Sequence, residues 1–303
     1  MRTFHWTKYL KPTIFTCNSY CSSVIKTGYM MAKENYPGKS LQDIIAKLTD
    51  FAPLKYAENW DNVGLLVDPM NSNDVKTILL TNDLTEDVVD EAISLNAGLI
   101  ISYHPNIFQG LKSVSSRTWK ERIVIKCLKG NIAVFSPHTT WDSVQGGVND
   151  WLVGTFDVKS SIPLLPKDDD PKIGAGRQCS LKNPVGLKDV IKKLKAHIQI
   201  PHLRLAVAKG KNEDDVINSV AVCAGSGSSV LKGIDVDLYL TGEMLHHDIL
   251  DATQKGIHVI LCNHSDSERG FLQKFQSRLQ QNMLNDEVAV YVSAVDRDPL
   301  ITV

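Results

Sequence analysis

The sequence has no long apolar run; none approaches the roughly 20 consecutive apolar residues of a membrane-spanning helix. It has no excess of one charge either. Lys and Arg number 33 against 34 Asp and Glu, a formal net charge of -1. No basic surplus is left for direct nucleic-acid binding. The six cysteines (Cys17, Cys21, Cys127, Cys179, Cys223 and Cys262) show no CxxC spacing, and no HExxH occurs. Zinc-ribbon and zincin chemistry therefore drop out. Scattered thiols without a disulfide framework point to a reduced, intracellular setting. Acid is missing from the first 33 residues altogether, Glu34 being the first.

That acid-free stretch carries Arg2, Lys8, Lys11, Lys26 and Lys33 among hydroxyl and aromatic side chains. It reads as a mitochondrial targeting segment, or as a disordered tail or extension ahead of a start at Met30 or Met31. The first reading makes the chain mitochondrial. The second leaves it cytoplasmic, with the nucleus as a further location.

What is present is enough for a sizeable core: 303 residues, 43% hydrophobic and 22% charged. That length suggests about two lobes. Ser40 is a natural N-cap, and Leu41, Ile44, Ile45 and Leu48 follow at helical spacing. Beyond them, apolar strands (62–68, 76–82, 98–102, 132–136) alternate with helices that begin at 85, 117 and 147. Residues 155–186 are rich in Pro, Gly and Asp and read as a linker. Alternation then resumes with helices over 187–198 and 267–283 and strands at 203–208, 219–224, 236–240, 259–262 and 288–293. The pattern predicts an α/β fold of two similar lobes, 40–154 and 187–303. In each half a helix leads through a glycine (Gly98, Gly256) into an apolar strand that ends on a histidine, His104 or His264. Open α/β sheets bind ligands beyond such carboxyl ends.

Six of the nine histidines fall in or beside four segments rich in ligand-type side chains. These are Ser102–Pro105, Pro137–Asp142, Gly242–Asp248 and Asn263–Glu268. His138 and Asp142 are four residues apart, as are His264 and Glu268. On a helical turn, such pairs face the same way. Imidazole and carboxylate together suit a divalent cation such as zinc, iron or manganese. With His104 from a third strand end, the set suits one or two ions; a surface ion pair is the plain alternative for each pair alone. Gly225, Ser226, Gly227 and Ser228 follow a strand and offer amides and hydroxyls to an anion such as phosphate, or simply a tight turn. Asp61 and Asn62, after Trp60, cap a turn or line the same cleft.

Taken together, several stretches resemble the NIF-three-like family, whose bacterial members are labelled GTP cyclohydrolase I type-two homologues, and its animal members in particular. They are Ala57–Leu65 (AENWDNVGL), Ser102–Pro105 (SYHP), His138–Asp142, Gly242-Glu243 with His246-His247, and Asn263–Glu268. Ala224–Leu231 and Asp296–Leu300 extend the likeness, which covers residues 40–154 and 186–303. The resemblance implies two α/β lobes with mixed sheets around a central metal-binding cleft, assembled as a homohexameric ring. It implies His104, Asp142, His264 and Glu268 as ligands of divalent ions, with His138 beside them. Two features depart from the family. Tyr103 stands where many members have another histidine, and the short 155–186 stretch replaces an inserted domain.

Three functions follow as expectations. The first is a metal-dependent hydrolase of a nucleotide-like or phosphate-bearing small molecule, with Glu243 or His247 as general base or acid. The second is a metal-stabilised interaction module that binds a transcriptional co-regulator protein. The third is metal handling in a ring-shaped assembly.

Overall fold

The structure, a computed structural model, describes residues 36–302. The targeting or tail reading of residues 1–33 lies outside them. Helix α1 (Leu41–Phe51) starts where the spacing predicts. Ser40 Oγ accepts from the Asp43 amide at 3.1 Å, and Leu41, Ile44 and Leu48 turn inward. Strands β1 (Gly64–Val67) and β2 (Thr77–Thr81) follow, then α2 (Glu86–Ser94) and β3 (Leu99–Ser102). Helix α3 (Trp119–Lys129) begins with a capping box between Thr118 and Glu121. It leads to β4 (Ala133–Ser136), the five-residue α4 (Thr139–Ser143) and α5 (Val148–Val153).

The second stretch holds β5 (Val158–Ile162), β6 (Leu165–Lys167), β7 (Asp170–Ala175) and β8 (Arg177–Gly186). Helix α6 (Leu187–Ile198), β9 (Arg204–Ala206), β10 (Val216–Ser226) and α7 (Ser228–Leu231) come next. The chain closes with β11 (Leu238–Glu243), α8 (His246–Gln254), β12 (His258–Leu261), α9 (Asp266–Ser277) and β13 (Ala289–Val292).

Both large sheets are mixed. The first runs β1-β4-β3-β2-β13, parallel except for β1. Its β2 and β3 are buried along their whole length, as strands covered on both faces must be. The second runs β5-β8-β10-β11-β12-β9, with β10, β11 and β12 parallel at its centre and antiparallel strands outside them. The α/β class with mixed sheets is thus as the sequence predicts.

Two elements differ from the sequence reading. Residues 155–186 are four strands rather than a linker. β8 pairs with β10 on one side and β5 on the other, while β6 and β7 form a hairpin. The pattern hid them because this segment buries few apolar side chains; Phe156, Ile173 and Cys179 are its chief ones. Its Pro, Gly and Asp residues also signal turns. Second, β13 leaves the later half of the chain and pairs in parallel with β2 of the first sheet.

One continuous apolar cluster joins the sheets. It takes in Leu80 and Ile101 of the first, Val220, Val222, Leu240 and Ile260 of the second, and Trp141, Phe271 and Phe275. On β10 the alternate residues Ala221 and Cys223 point to a second cluster with Tyr239 and Val259. Helix α9 packs on β2 and β13 as well as on β10 and β11. Gly270 lets it approach α5, since a Cβ there would lie 2.3 Å from the Trp151 ring. The first turn of α9 is thereby held against the carboxyl ends of strands from both sheets.

Candidate metal centre

Three donor groups meet at those strand ends. His104 follows β3, His264 follows β12, and Glu268 lies on the first turn of α9. One ligand atom from each lies within 4.8 Å of the others. Among the described residues they are the one group of three or more His, Cys, Asp or Glu donors that converges so closely. Glu268 is 3% exposed and divides its oxygens between the histidines. Oε1 is 3.4 Å from His264 Nε2, and Oε2 is 3.5 Å from His104 Nε2.

Each imidazole is braced from behind. His104 Nδ1 lies 2.9 Å from Asp83 Oδ1, and His264 Nδ1 lies 2.8 Å from Glu243 Oε1. A carboxylate that accepts from Nδ1–H holds the proton on that nitrogen and leaves the Nε2 lone pair toward Glu268. Asn82 Nδ2 also donates to Glu268 Oε2 at 3.2 Å. The backbone serves the same end. Gly225, at φ +65°, passes so close that a Cβ would lie 2.5 Å from Glu268 Oε1 and 3.2 Å from His264 Nε2.

A second group of side chains stands alongside. The Tyr103 hydroxyl donates to Asp142 Oδ1 at 2.5 Å. His138 Nδ1 meets Asp61 Oδ1 at 2.7 Å, and Asp61 Oδ2 accepts from the amide and hydroxyl of Thr139. The His138 ring lies 5.3 Å from that of His104 and 5.6 Å from that of Tyr103. His138 has φ +34° and Asn263, just before His264, has φ +63°. Both are left-handed conformations that non-glycine residues take rarely, and such outliers gather at functional sites.

The electrostatics follow from burial. Burial, then the nearby Asp142 carboxylate, pushes Glu268 well above the usual carboxylate range, against the Asn82 hydrogen bond. Burial also raises Asp142, opposed by His138 and Tyr103. The Tyr103 phenol is raised by burial and by the Asp142 and Glu268 charges. Asp61 and Asp83 behave oppositely. Burial raises each, but hydrogen bonds and charge from His138 and His104 outweigh it and leave both lowered. Each of these two buried acids raises the cost of ionising the other, a cost that a neighbouring positive charge would relieve.

A cavity of about 300 Å³ opens beside these groups, lined among others by Trp60, Tyr103, His138, Asp142, His264 and Glu268. Trp60 is 61% exposed at its edge, with ring centroids 5.8 Å from His138 and 6.0 Å from Phe108. Gly225 and Ser226 line the cavity as the end of β10. The Gly225 amide donates to Ser267 Oγ at 2.8 Å and the Gly227 amide to Thr241 Oγ1 at 3.0 Å. Both donors are thus spent within the fold rather than offered to a phosphate. Ser228 Oγ accepts from the Leu245 amide.

The structure therefore brings together His104, His264 and Glu268, places Asp142 and His138 beside them on partners of their own, and uses Glu243 to hold His264. It does not bring in His247, which sits exposed on the first turn of α8 with its ring 5.3 Å from His246. Sequence reasoning missed Asn82 and Asp83. They follow β2 as His104 follows β3, and that strand-end position was the available signal. It also missed Arg269, which pairs with Asp83 at 3.5 Å and with Asp296.

Comparison with known proteins identifies the family. The model of the Duf34/NIF3 (NGG1p interacting factor 3) family matches residues 39–299. A Drosophila melanogaster protein, NIF3-like protein 1, is 48% identical over 88% of this chain and 91% of its own. The Saccharomyces cerevisiae protein NGG1-interacting factor 3 is 39% identical over 86% of this chain and 96% of its own. Among solved structures, a Bacillus cereus protein related to NIF3 superposes with a TM-score of 0.78 at 22% identity, covering 88% of this chain and 99% of that one; that likeness speaks for the fold. No helix among the described residues is long and apolar enough to cross a membrane. On the matched family model and the relatives alike, the chain belongs to the Duf34/NIF3 family.

Proposed function

We propose that the chain is a divalent-metal-dependent hydrolase that acts on a planar, nucleotide-like small molecule. The observation that carries this reading is the convergence of His104, His264 and Glu268 beside an open cavity. Two imidazoles and one carboxylate are a donor set that leaves coordination positions free for chemistry. The fit is supported by the braced Nδ1 atoms, by the raised Glu268 and by the room that Gly225 leaves. A divalent cation held there supplies Lewis acidity, which makes water nucleophilic near neutral pH.

The remaining steps belong to the chain. Asp83 and Glu243 fix the two imidazoles in orientation. Asn82 keeps the Glu268 carboxylate turned inward. Trp60 offers an aromatic face at the cavity edge on which a planar ring can stack. His138, with Nδ1 committed to Asp61, keeps Nε2 as the nitrogen that holds or delivers a proton during turnover. Asp142, bonded to Tyr103, is held in a fixed position beside it.

The test is a hydrolysis screen of nucleotides and phosphoesters with the full chain loaded with zinc or manganese. Turnover that is lost in Glu268→Gln and retained in His247→Ala is the expected result. A loaded chain that hydrolyses none of them would overturn the reading. A second reading is favoured by the name of the yeast relative, an interacting factor. Under it the centre stabilises a surface that binds a transcriptional co-regulator, and capture of that partner survives Glu268→Gln. Assembly as a homohexameric ring is part of the same proposal and is read by sedimentation. Residence in the cytoplasm and nucleus, or in mitochondria through residues 1–33, is read by imaging the full chain and a chain lacking that segment.

A further inference from the structure

Two sets of potential donors lie side by side at this site, and they differ in one respect. The first, His104, His264 and Glu268, is open at its centre. Both imidazoles are held by their Nδ1 atoms, and both Glu268 oxygens face the two Nε2 atoms, at 3.4 and 3.5 Å. In the second set, Tyr103, His138 and Asp142, the carboxylate is already engaged by a member of its own set. Asp142 Oδ1 is taken by the Tyr103 hydroxyl at 2.5 Å. Its backbone carbonyl accepts from Asn149 Nδ2 at 3.0 Å, and Asn149 Oδ1 in turn accepts from the Ala224 amide at 2.9 Å. That ties the Asp142 backbone between α5 and β10. His138 is fixed to Asp61.

The Tyr103 ring is 2% exposed and stands between these groups, with centroids 5.0 Å from His104 and 5.6 Å from His138. It fills the ground between His104 and Asp142. For Asp142 to ligate through Oδ1 it would have to give up a short hydrogen bond from a buried phenol. Charge-assisted bonds of this kind are the strong ones. Glu268 meanwhile directs both oxygens at the open set, one toward each histidine.

We propose that the centre takes a single divalent cation, held by His104, His264 and Glu268, and that Tyr103 is the positioning residue that withholds Asp142 from coordination. The proposal rests on the metal reading above and sets its stoichiometry. Asp142 and Tyr103 then form a fixed hydrogen-bonded pair facing the cavity, free to position substrate rather than a second ion.

The test is metal content per chain. The full chain is purified without chelator, dialysed against excess zinc or manganese, freed of unbound metal and measured by elemental analysis. One ion per chain is expected with either metal. Asp142→Asn is expected to keep that ion, with an affinity change smaller than the roughly tenfold that loss of an orienting partner produces. Glu268→Gln is expected to lose it. Tyr103→His, which adds a nitrogen and releases Asp142, is expected to raise the content above one. Two ions in the wild type would overturn the proposal, as would loss of the ion in an Asp142→Asn chain whose circular dichroism is unchanged. A Tyr103→His chain that stays at one ion would overturn the part assigned to Tyr103. No bound ion in the wild type would overturn the metal reading itself, and the stoichiometry with it.

Discussion

Glu243 Oε1 stands 2.8 Å from His264 Nδ1, on the side of the ring away from Glu268. The contact fixes tautomer and ring direction together, as carboxylates commonly do for metal-binding histidines. Glu243 is thus a group that aims a donor, and its charge reaches the site through the imidazole.

Glu243→Gln is expected to lower zinc affinity about 10- to 100-fold, the range found when such orienting partners are removed. Competition titration against a chelating dye measures it. His247→Ala, on an exposed turn, serves as the comparison and is expected to leave affinity unchanged. Equal losses in the two variants would remove the distinction.

Glu268 works against folding when no cation is present. A carboxyl with a raised value in the folded state binds its proton more tightly there than in the unfolded chain. Its stability contribution is therefore most favourable in acid and is lost as pH climbs from the ordinary carboxylate range toward the raised value. In chelator at neutral pH, Glu268→Gln is expected to melt about 1–2 °C above the wild type, the shift of roughly 1 kcal/mol in a chain of this size. Differential scanning calorimetry reads this. A lower melting temperature would show that the carboxylate supports the fold in some other way.

Gly225 is the position where backbone and ligands come closest. At φ +65° any Cβ is strained, and here it would lie 2.5 Å from Glu268 Oε1. Gly225→Ala is expected to cost about 1–2 kcal/mol in urea unfolding and to weaken cation binding by displacing Glu268. Unchanged affinity would mean that Glu268 relaxes without leaving the site.

The four cysteines of the described residues, Cys127, Cys179, Cys223 and Cys262, are free and buried. Burial pushes Cys127 and Cys262 up to about 12 and raises Cys179 and Cys223 as well. At pH 8 all four remain thiols, and the thiolate is the reactive form. In a Cys17→Ser, Cys21→Ser background the native chain is expected to resist a disulfide reagent, with four thiols appearing on denaturation. Rapid labelling of the native chain would contradict this.

Trp141 is fully buried, with ring centroids 4.3 Å from Phe275 and 5.4 Å from Phe271. Trp141→Ala removes the side chain through which α4 meets α9. A loss of about 3–5 kcal/mol in denaturant unfolding is expected. A loss below about 1 kcal/mol would mean that the cavity collapses without cost.

The two pairs with identical spacing show how far the sequence reaches. His264 and Glu268 are four apart and do converge, Nε2 to Oε1 at 3.4 Å. His138 and Asp142 are also four apart, yet His138 turns to Asp61 and Asp142 to Tyr103. Spacing sets a common direction only within a regular turn. His138 precedes its five-residue helix at φ +34°, a conformation no spacing rule anticipates. The linker reading of residues 155–186 failed for a related reason, since strands that bury little leave no alternation to read.

The sequence by itself determined the periodic elements: α1 with its Ser40 cap, the apolar strands, and histidines at the ends of β3 and β12. It also determined the donor types, imidazole and carboxylate. Only the tertiary structure decided which donors share a point. His104 comes from the first sheet and His264 from the second, and the distance between them depends on how α9 packs against both. That packing is a sum of contacts between residues far apart in the chain, which local periodicity does not encode. The same holds for Asp83, Glu243 and Tyr103, whose roles follow from what each touches across the fold rather than from neighbours in sequence.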